Sequence, residues 1–411
     1  MSFNKYYLKE NPFPEIAVCD PNSRDPRLNG SIFNIDILED KIEELSIRTD
    51  NSVNLIYVSG NQFDRGLGKS SLMIYHFKNL KSRQGVTCSF VRCLPKDKIE
   101  DVVRKTILEW HNEGYLWDVF KKTFSKFTEI DKDPLLQPSS VKMMFQDYPK
   151  PPDVLPFLHY SYIIDLDRKI EQYIKWLTGE INYDAEPLTE LIKTYLSAPS
   201  EIDKTLEKRK VDCIELFGAC INLYNALGYS RHFVFFDQFE DMVMSITKNR
   251  MGDFALSMKS LLSGSSGSSI FVTLHPNSET RLKQPNARDL KSVAPFDAFH
   301  RVNLLSLDIV PEKAIGLAEE YLNYYRMDDP PYPSYPFEPE FLLFTWFFNK
   351  GVIRNYLQQL HFTLKNGTML GYPEISFGFA QDNQLEIFGK LVTEKMMKEY
   401  HLWRERTKTS V

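Results

Sequence analysis

Residues 53–78 read VNLIYVSGNQFDRGLGKSSLMIYHFK. Val53, Leu55, Ile56, Tyr57 and Val58 have the character of a buried strand. A glycine-bearing loop follows and closes with Gly66-Leu67-Gly68-Lys69-Ser70-Ser71, after which Leu72, Met73, His76, Phe77 and Leu80 resume at helical spacing. The order is strand, glycine loop, helix. Successive backbone N–H groups and a helix N-terminus concentrate partial positive charge where a polyphosphate can sit. In such a loop Lys69 reaches the β- and γ-phosphates and the Ser70 hydroxyl completes a Mg²⁺ shell. The pattern G-x-x-x-x-G-K-[ST] requires a glycine where Phe63 stands, and the nearest earlier glycine is Gly60. We read G-x-G-K-S-S as intact, with residues 61–65 enlarging the approach to the loop. The alternative is an ordinary glycine turn beside an exposed lysine, which the strand before and the helix after oppose.

Working outward, 411 residues with 43% apolar content suffice for two or three domains with a substantial core. Fifty Lys and Arg against 55 Asp and Glu leave a formal charge of -5, too near neutral to mark a nucleic-acid protein by charge alone. The five cysteines are odd in number and show no C-x-x-C pair, so the reading is reduced thiols rather than disulfides or a metal site. With no apolar signal core at the N-terminus and no long apolar run, the expected location is the cytoplasm, away from any membrane.

Residues 1–30, broken by Pro12, Pro14, Pro21 and Pro26, read as an extended arm on the domain surface. Helical spacing of Ile35, Leu38, Ile42 and Leu45 places one helix before the loop, and Val86–Val91 is the expected second strand. Residues 96–199 read as a helical insertion, with helices over Ile99–Trp117, Tyr162–Leu177 and Leu188–Leu196 and a proline-rich break at Tyr148–Pro152. Ile202–Leu227 reads as one further helix stopped by Gly228.

The second chemical signature is FVFFDQFED, residues 233–241, four apolar residues ending in Asp237. A strand buried on both faces of a parallel sheet delivers its last residue to the edge where ligands gather, so Asp237 is a candidate to hold Mg²⁺ through its waters. Glu240 and Asp241 are candidates to orient an attacking water, and Gln238 stands where many ATPases carry a glutamate. A capping box, with Asp237 as the cap and Glu240 at the third helical position, is the structural alternative. Ser269–His275 reads as a fourth strand whose polar tip offers Thr273 or His275 as a γ-phosphate sensor, and Val302–Leu307 as a fifth. Arg281, Arg288 and Arg301 lie between them as candidates for contact with a neighbouring subunit's nucleotide. Pro311 opens another helix, Phe341–Phe348 and Val352–Leu364 form a helical pair joined by Gly351, and Arg354 stands near the start of its second member. The tail Leu385–Arg406 is amphipathic with a basic end, read as a solvated helix face, with a protein or nucleic-acid contact as the sharper alternative.

With G-x-G-K-S-S after one strand, DQFED after a later one, a polar strand tip and a helical G-x-x-R segment, the chain resembles AAA+ and STAND-type P-loop ATPases. It is similar above all to their origin-recognition-like and NACHT-like prokaryotic members, which also show an NPF like that of Asn11, Pro12 and Phe13. The likeness covers residues 10–95 and 200–365. It implies an α/β fold: a P-loop NTPase core with a five-stranded parallel sheet (31–95 and 200–310), a large helical insertion (96–199) and a C-terminal helical lid (311–366), followed by the amphipathic tail (367–411). It implies ATP and Mg²⁺ as ligands. Gly66, Gly68, Lys69, Ser70 and Ser71 would hold phosphate, Ser70 and Asp237 Mg²⁺, Glu240 the water, Thr273 or His275 the terminal phosphate, and Arg354 the same phosphate from the lid. No winged helix is evident after the lid, so replication initiation is not implied. The expected function is an ATP-driven switch acting on a protein partner or on a second copy of itself, with a degenerate, nucleotide-held scaffold as the alternative. The missing N-K-x-D motif argues against guanine nucleotides.

Overall fold

Four strands form a parallel sheet in the computed structural model of the chain: β1 (Ser52–Tyr57), β2 (Val86–Arg92), β3 (Arg231–Asp237) and β4 (Ser268–Thr273). The structure describes residues 2–15, 19–23, 35–48, 50–57, 66, 68–131, 166–197, 199–207, 211–263, 267–282, 301–303, 311–389 and 391–408. The strand order is β2-β3-β4-β1, with a three-residue segment β5 (Arg301–Asn303) beyond β1. Of the fifth strand expected over Val302–Leu307, only residues up to Asn303 are described, and its remainder lies outside the described residues. Among the described residues the sheet has four full strands rather than the five expected.

Parallel register pairs Val86 with Arg231 through to Arg92 with Asp237, and Phe233 with Ser269. Every residue of β3 and of β4 is buried. That burial is the reason for the continuous apolar run Phe233–Phe236, since a central parallel strand is covered on both faces.

The chain divides into two compact units, each discontinuous in sequence: Met1–Glu39, Ile56–Lys78 and Val302–Val411 in the first, Asp40–Leu55 and Asn79–Arg301 in the second. The helices α1 (Ile35–Ser46) and α2 (Lys69–Lys81) each cross a boundary between them. In the second unit, α3 (Ile99–Asn112), α4 (Tyr115–Asp131), α5 (Leu166–Ile181), α6 (Thr189–Ser197), α7 (Ile202–Glu207) and α8 (Cys213–Ala226) surround one aromatic core. Trp110 of α3 stacks on Phe217 of α8 at 5.1 Å, Phe120 of α4 stacks on Tyr195 of α6 at 5.4 Å, and Phe124 meets Tyr173 of α5 edge-on. The described helices of the segment read as an insertion share this aromatic core with α8. The proline-rich break at 148–152 lies outside the described residues.

Two helices expected to be continuous are broken. Gly114, at φ +83°, separates α3 from α4, a backbone conformation costly for any residue with a Cβ. Asp212 separates α7 from α8, its carboxylate accepting the N–H groups of Ile214 and Glu215 as the cap of α8. The remaining helices of this unit are α9 (Phe239–Ser245), α10 (Met251–Ser263) and α11 (Pro276–Leu282).

The first unit gathers α12 (Pro311–Tyr324), α13 (Pro339–Phe348), α14 (Ile353–Leu370), α15 (Phe377–Asp382), α16 (Gln384–Phe388) and α17 (Glu394–Lys408). The expected helical pair around Gly351 is α13 and α14. The N-terminal segment joins this core rather than lying on its surface: Tyr6, Leu8 and Phe13 are fully buried against α12, α13 and α14. The tail folds back as well, with Tyr400 of α17 packed on Phe344 and donating to Glu340 of α13. No helix among the described residues is long and apolar enough to cross a membrane.

Candidate functional site

In the first unit the glycine turn leads directly into a helix. Gly66 and Gly68 both adopt left-handed φ, +86° and +85°, and α2 begins at Lys69. Lys69 is buried, Ser70 and Ser71 are half-buried, and the first turn of α2 carries no acidic residue. The Gly68 carbonyl accepts the Leu72 N–H at 2.9 Å, which closes the first helical turn, and Ser71 Oγ lies 3.2 Å from Cys19 Sγ. Loop residues 58–65 and 67, including the enlarged approach at 61–65, lie outside the described residues.

The start of α14 abuts this turn. The Arg354 N–H donates to the Gly66 carbonyl at 3.0 Å. A Cβ added at Gly66 would lie 2.7 Å from Arg354 Cβ, and one at Gly68 would lie 2.9 Å from Ile353 Cδ1. Both glycines thus meet a backbone requirement and a packing requirement together. The Arg354 side chain is exposed. Sequence reading placed Arg354 in the lid; its seat against Gly66 is a tertiary fact.

In the second unit Asp237 ends β3 with 1% of its surface exposed. Its carbonyl accepts the Cys93 N–H at 2.8 Å, and Arg92, its register partner on β2, brings Nε to 3.9 Å from Oδ2. Arg92 was not singled out from the sequence; parallel registry supplies the signal, since it is the last residue of the adjoining strand. Gln238 then turns the chain at φ +58°, an unusual value for a residue with a side chain, and α9 begins. The cap of α9 is Gln238, with no side-chain capping bond, so the capping box read as an alternative for Asp237 and Glu240 is not formed.

Glu240 instead bonds across to the sheet. Thr273, the last residue of β4, donates its hydroxyl to Glu240 Oε2 and accepts the Phe239 N–H at 3.2 Å. Both side chains are buried, at 1% and 9% exposure. His275 serves a separate turn: its ring Nδ1 accepts the Ser278 N–H at 3.1 Å, and Ser278 Oγ donates to the His275 carbonyl at 2.9 Å. The structure thus joins Thr273 to Glu240 and gives His275 to the start of α11. Arg281 is also committed, donating to the carbonyls of Met244 and Ile246. Arg288 and the Arg301 side chain lie outside the described residues.

Among the described residues, no group of three or more His, Cys, Asp or Glu side chains has the arrangement of a metal site. The chemistry present is a buried lysine and two hydroxyls at a helix start in one unit, and two buried carboxylates with a strained turn in the other. No protein-family model matches the chain, and no characterised protein or solved structure matches it either.

Proposed function

We propose that the chain is an ATP-binding switch of the P-loop type that hydrolyses ATP and passes its nucleotide state to a macromolecular partner. The observation that carries this reading is the left-handed conformation of Gly66 and of Gly68 just before a helix that starts with buried Lys69 and half-buried Ser70 and carries no acid in its first turn. Backbone N–H groups there face an anion favourably, and Lys69 adds a full charge. The strand order also supports it. From β1 the chain crosses toward one edge of the sheet to β2, while from β4 it crosses toward the other to β5, and β1 lies beside β4. Open α/β sheets bind ligands at such a topological switch point, beyond the carboxyl ends of the strands.

In this reading Lys69, Ser70, Ser71 and the backbone of Gly66 and Gly68 hold the phosphates. Ser70 and Asp237 would hold Mg²⁺, which when bound neutralises charge developing on the phosphates. Glu240 orients the water, and Arg354 responds to the terminal phosphate from the lid. Catalysis is positioning and electrostatics, with no covalent intermediate. The signal leaves through the helical insertion or the tail to a protein partner or a second copy, and nucleic acid is the alternative recipient through the basic end of α17. ATP is preferred over GTP because N-K-x-D is absent.

Phosphate release from ATP with Mg²⁺, measured beside a nucleotide titration, tests this reading. Lys69→Ala should weaken ATP binding roughly 10- to 100-fold, the worth of one charged hydrogen bond of about 1.5–3 kcal/mol, and abolish turnover. Unchanged affinity would remove the site. Glu240→Gln should spare binding and slow turnover. Tight binding without turnover would instead favour a nucleotide-held scaffold. That second reading draws on Gln238 in place of a carboxylate and on the packing of Val352–Arg354 against the loop glycines, which explains those glycines without any nucleotide.

A further inference from the structure

The turn between β3 and α9 is held from the neighbouring strand by one hydroxyl group. Thr273 Oγ1 accepts the Phe239 N–H and donates to Glu240 Oε2. A threonine hydroxyl has a single hydrogen. While it lies on Glu240 it is not available to a phosphate oxygen, so this geometry is not that of a free phosphate sensor. The accepted Phe239 N–H locates the start of α9 relative to β4, immediately after the left-handed Gln238. The donated bond then selects one orientation of the Glu240 carboxylate, in a site where both side chains are buried. His275, the other candidate at the strand tip, is occupied in its own turn with Ser278.

We infer that Thr273 is a positioning residue for Glu240 and acts on ATP hydrolysis through that carboxylate, not through its own contact with the nucleotide. This inference rests on the ATP reading above and specifies how its water-orienting group is aimed. A base or water-orienting group must be held in the productive geometry to contribute, and such groups contribute typically 10²–10⁴-fold. The side chain that aims one therefore affects kcat and leaves ground-state binding alone.

The test is a double-variant cycle on ATP turnover. Thr273→Val should lower kcat roughly 10- to 100-fold with little change in KM for ATP, and Thr273→Ser, which keeps the hydroxyl, should restore it. In a Glu240→Gln background Thr273→Val should have almost no further effect, because residues that act as a unit are not additive. Should Thr273→Val not fold, Thr273→Cys, with a weak donor at the same position, takes its place. If the two changes multiply, or if Thr273→Val raises KM, the hydroxyl acts on the nucleotide itself and the inference is overturned while the ATP reading stands. If the wild-type chain shows no turnover that depends on Lys69, the ATP reading falls and the inference falls with it.

Discussion

His232 is fully buried on β3 with both ring nitrogens engaged, Nδ1 at 2.7 Å from Thr87 Oγ1 and Nε2 at 2.9 Å from Asn225 Oδ1. Burial, aided by the neighbouring Arg231 charge, lowers its pKa to about 3. Arg231 is itself buried and drawn down to about 10, chiefly by desolvation, so it stays charged at neutral pH and donates to the carbonyls of Arg48 and Asp50 and to Ser269. Below the ordinary histidine pKa of ~6.5 the unfolded chain takes up a proton at His232 that the folded chain refuses. Stability is therefore complete above that value and is lost as pH falls from it toward the folded pKa, by at most about 1.4 kcal/mol per pH unit. His232→Gln should flatten this limb in urea unfolding between about pH 6.5 and 4, and an equally steep limb would assign the acid sensitivity elsewhere. Lys69, Ser70 and Asp237 were legible from the sequence because local patterns flank them. The Thr273–Glu240 bond was not, since its partners are 33 residues apart and meet only through the pairing of β3 with β4.

Most elements were legible at their apolar cores and misread at their ends. Periodicity located α1, α5, α6, α12, α13 and α14, but it does not register a break that leaves the apolar face in phase, so Ile99–Trp117 and Ile202–Leu227 each read as one helix. The breaks are set by Gly114 and by the capping carboxylate of Asp212. The glycine turn illustrates a different limit. The sequence suggests that Gly66 serves a phosphate, whereas the fold shows that it also admits α14. Gly66→Ala should combine about 1–2 kcal/mol of left-handed strain with a clash against Arg354 Cβ, which lies next to the backbone and cannot swing away. The expected outcome is a loss of at least that size in chemical unfolding. A stability loss within about 0.5 kcal/mol, the range of an ordinary surface change, would show that α14 does not pack here as described.

At the scale of the whole molecule, the two ends of the chain belong to one unit. Lys5 donates to the carbonyls of Gly367, Thr368 and Tyr372, Asn11 to that of His361, and Phe13 stacks on Tyr321 at 6.0 Å. Phe13→Ala should cost about 3–5 kcal/mol, as for other buried aromatics, and should destabilise the helices α12–α14 when followed by hydrogen exchange. Exchange left unchanged in those helices would return the segment to the surface, where proline content alone had put it. Local chemistry in the sequence by itself determined the α/β class, the buried strands, the glycine turn before a lysine-led helix and the aspartate at a strand end, because each depends on neighbours within a few residues. The tertiary structure alone decided the strand order, the burial of the N-terminal segment, the packing of residues 96–131 and 166–197 around α8, and the Thr273–Glu240 bond. Those features depend on which distant surfaces cover one another, and the free energy of apolar burial that selects among them is roughly proportional to area and carries no direction that a local pattern could reveal.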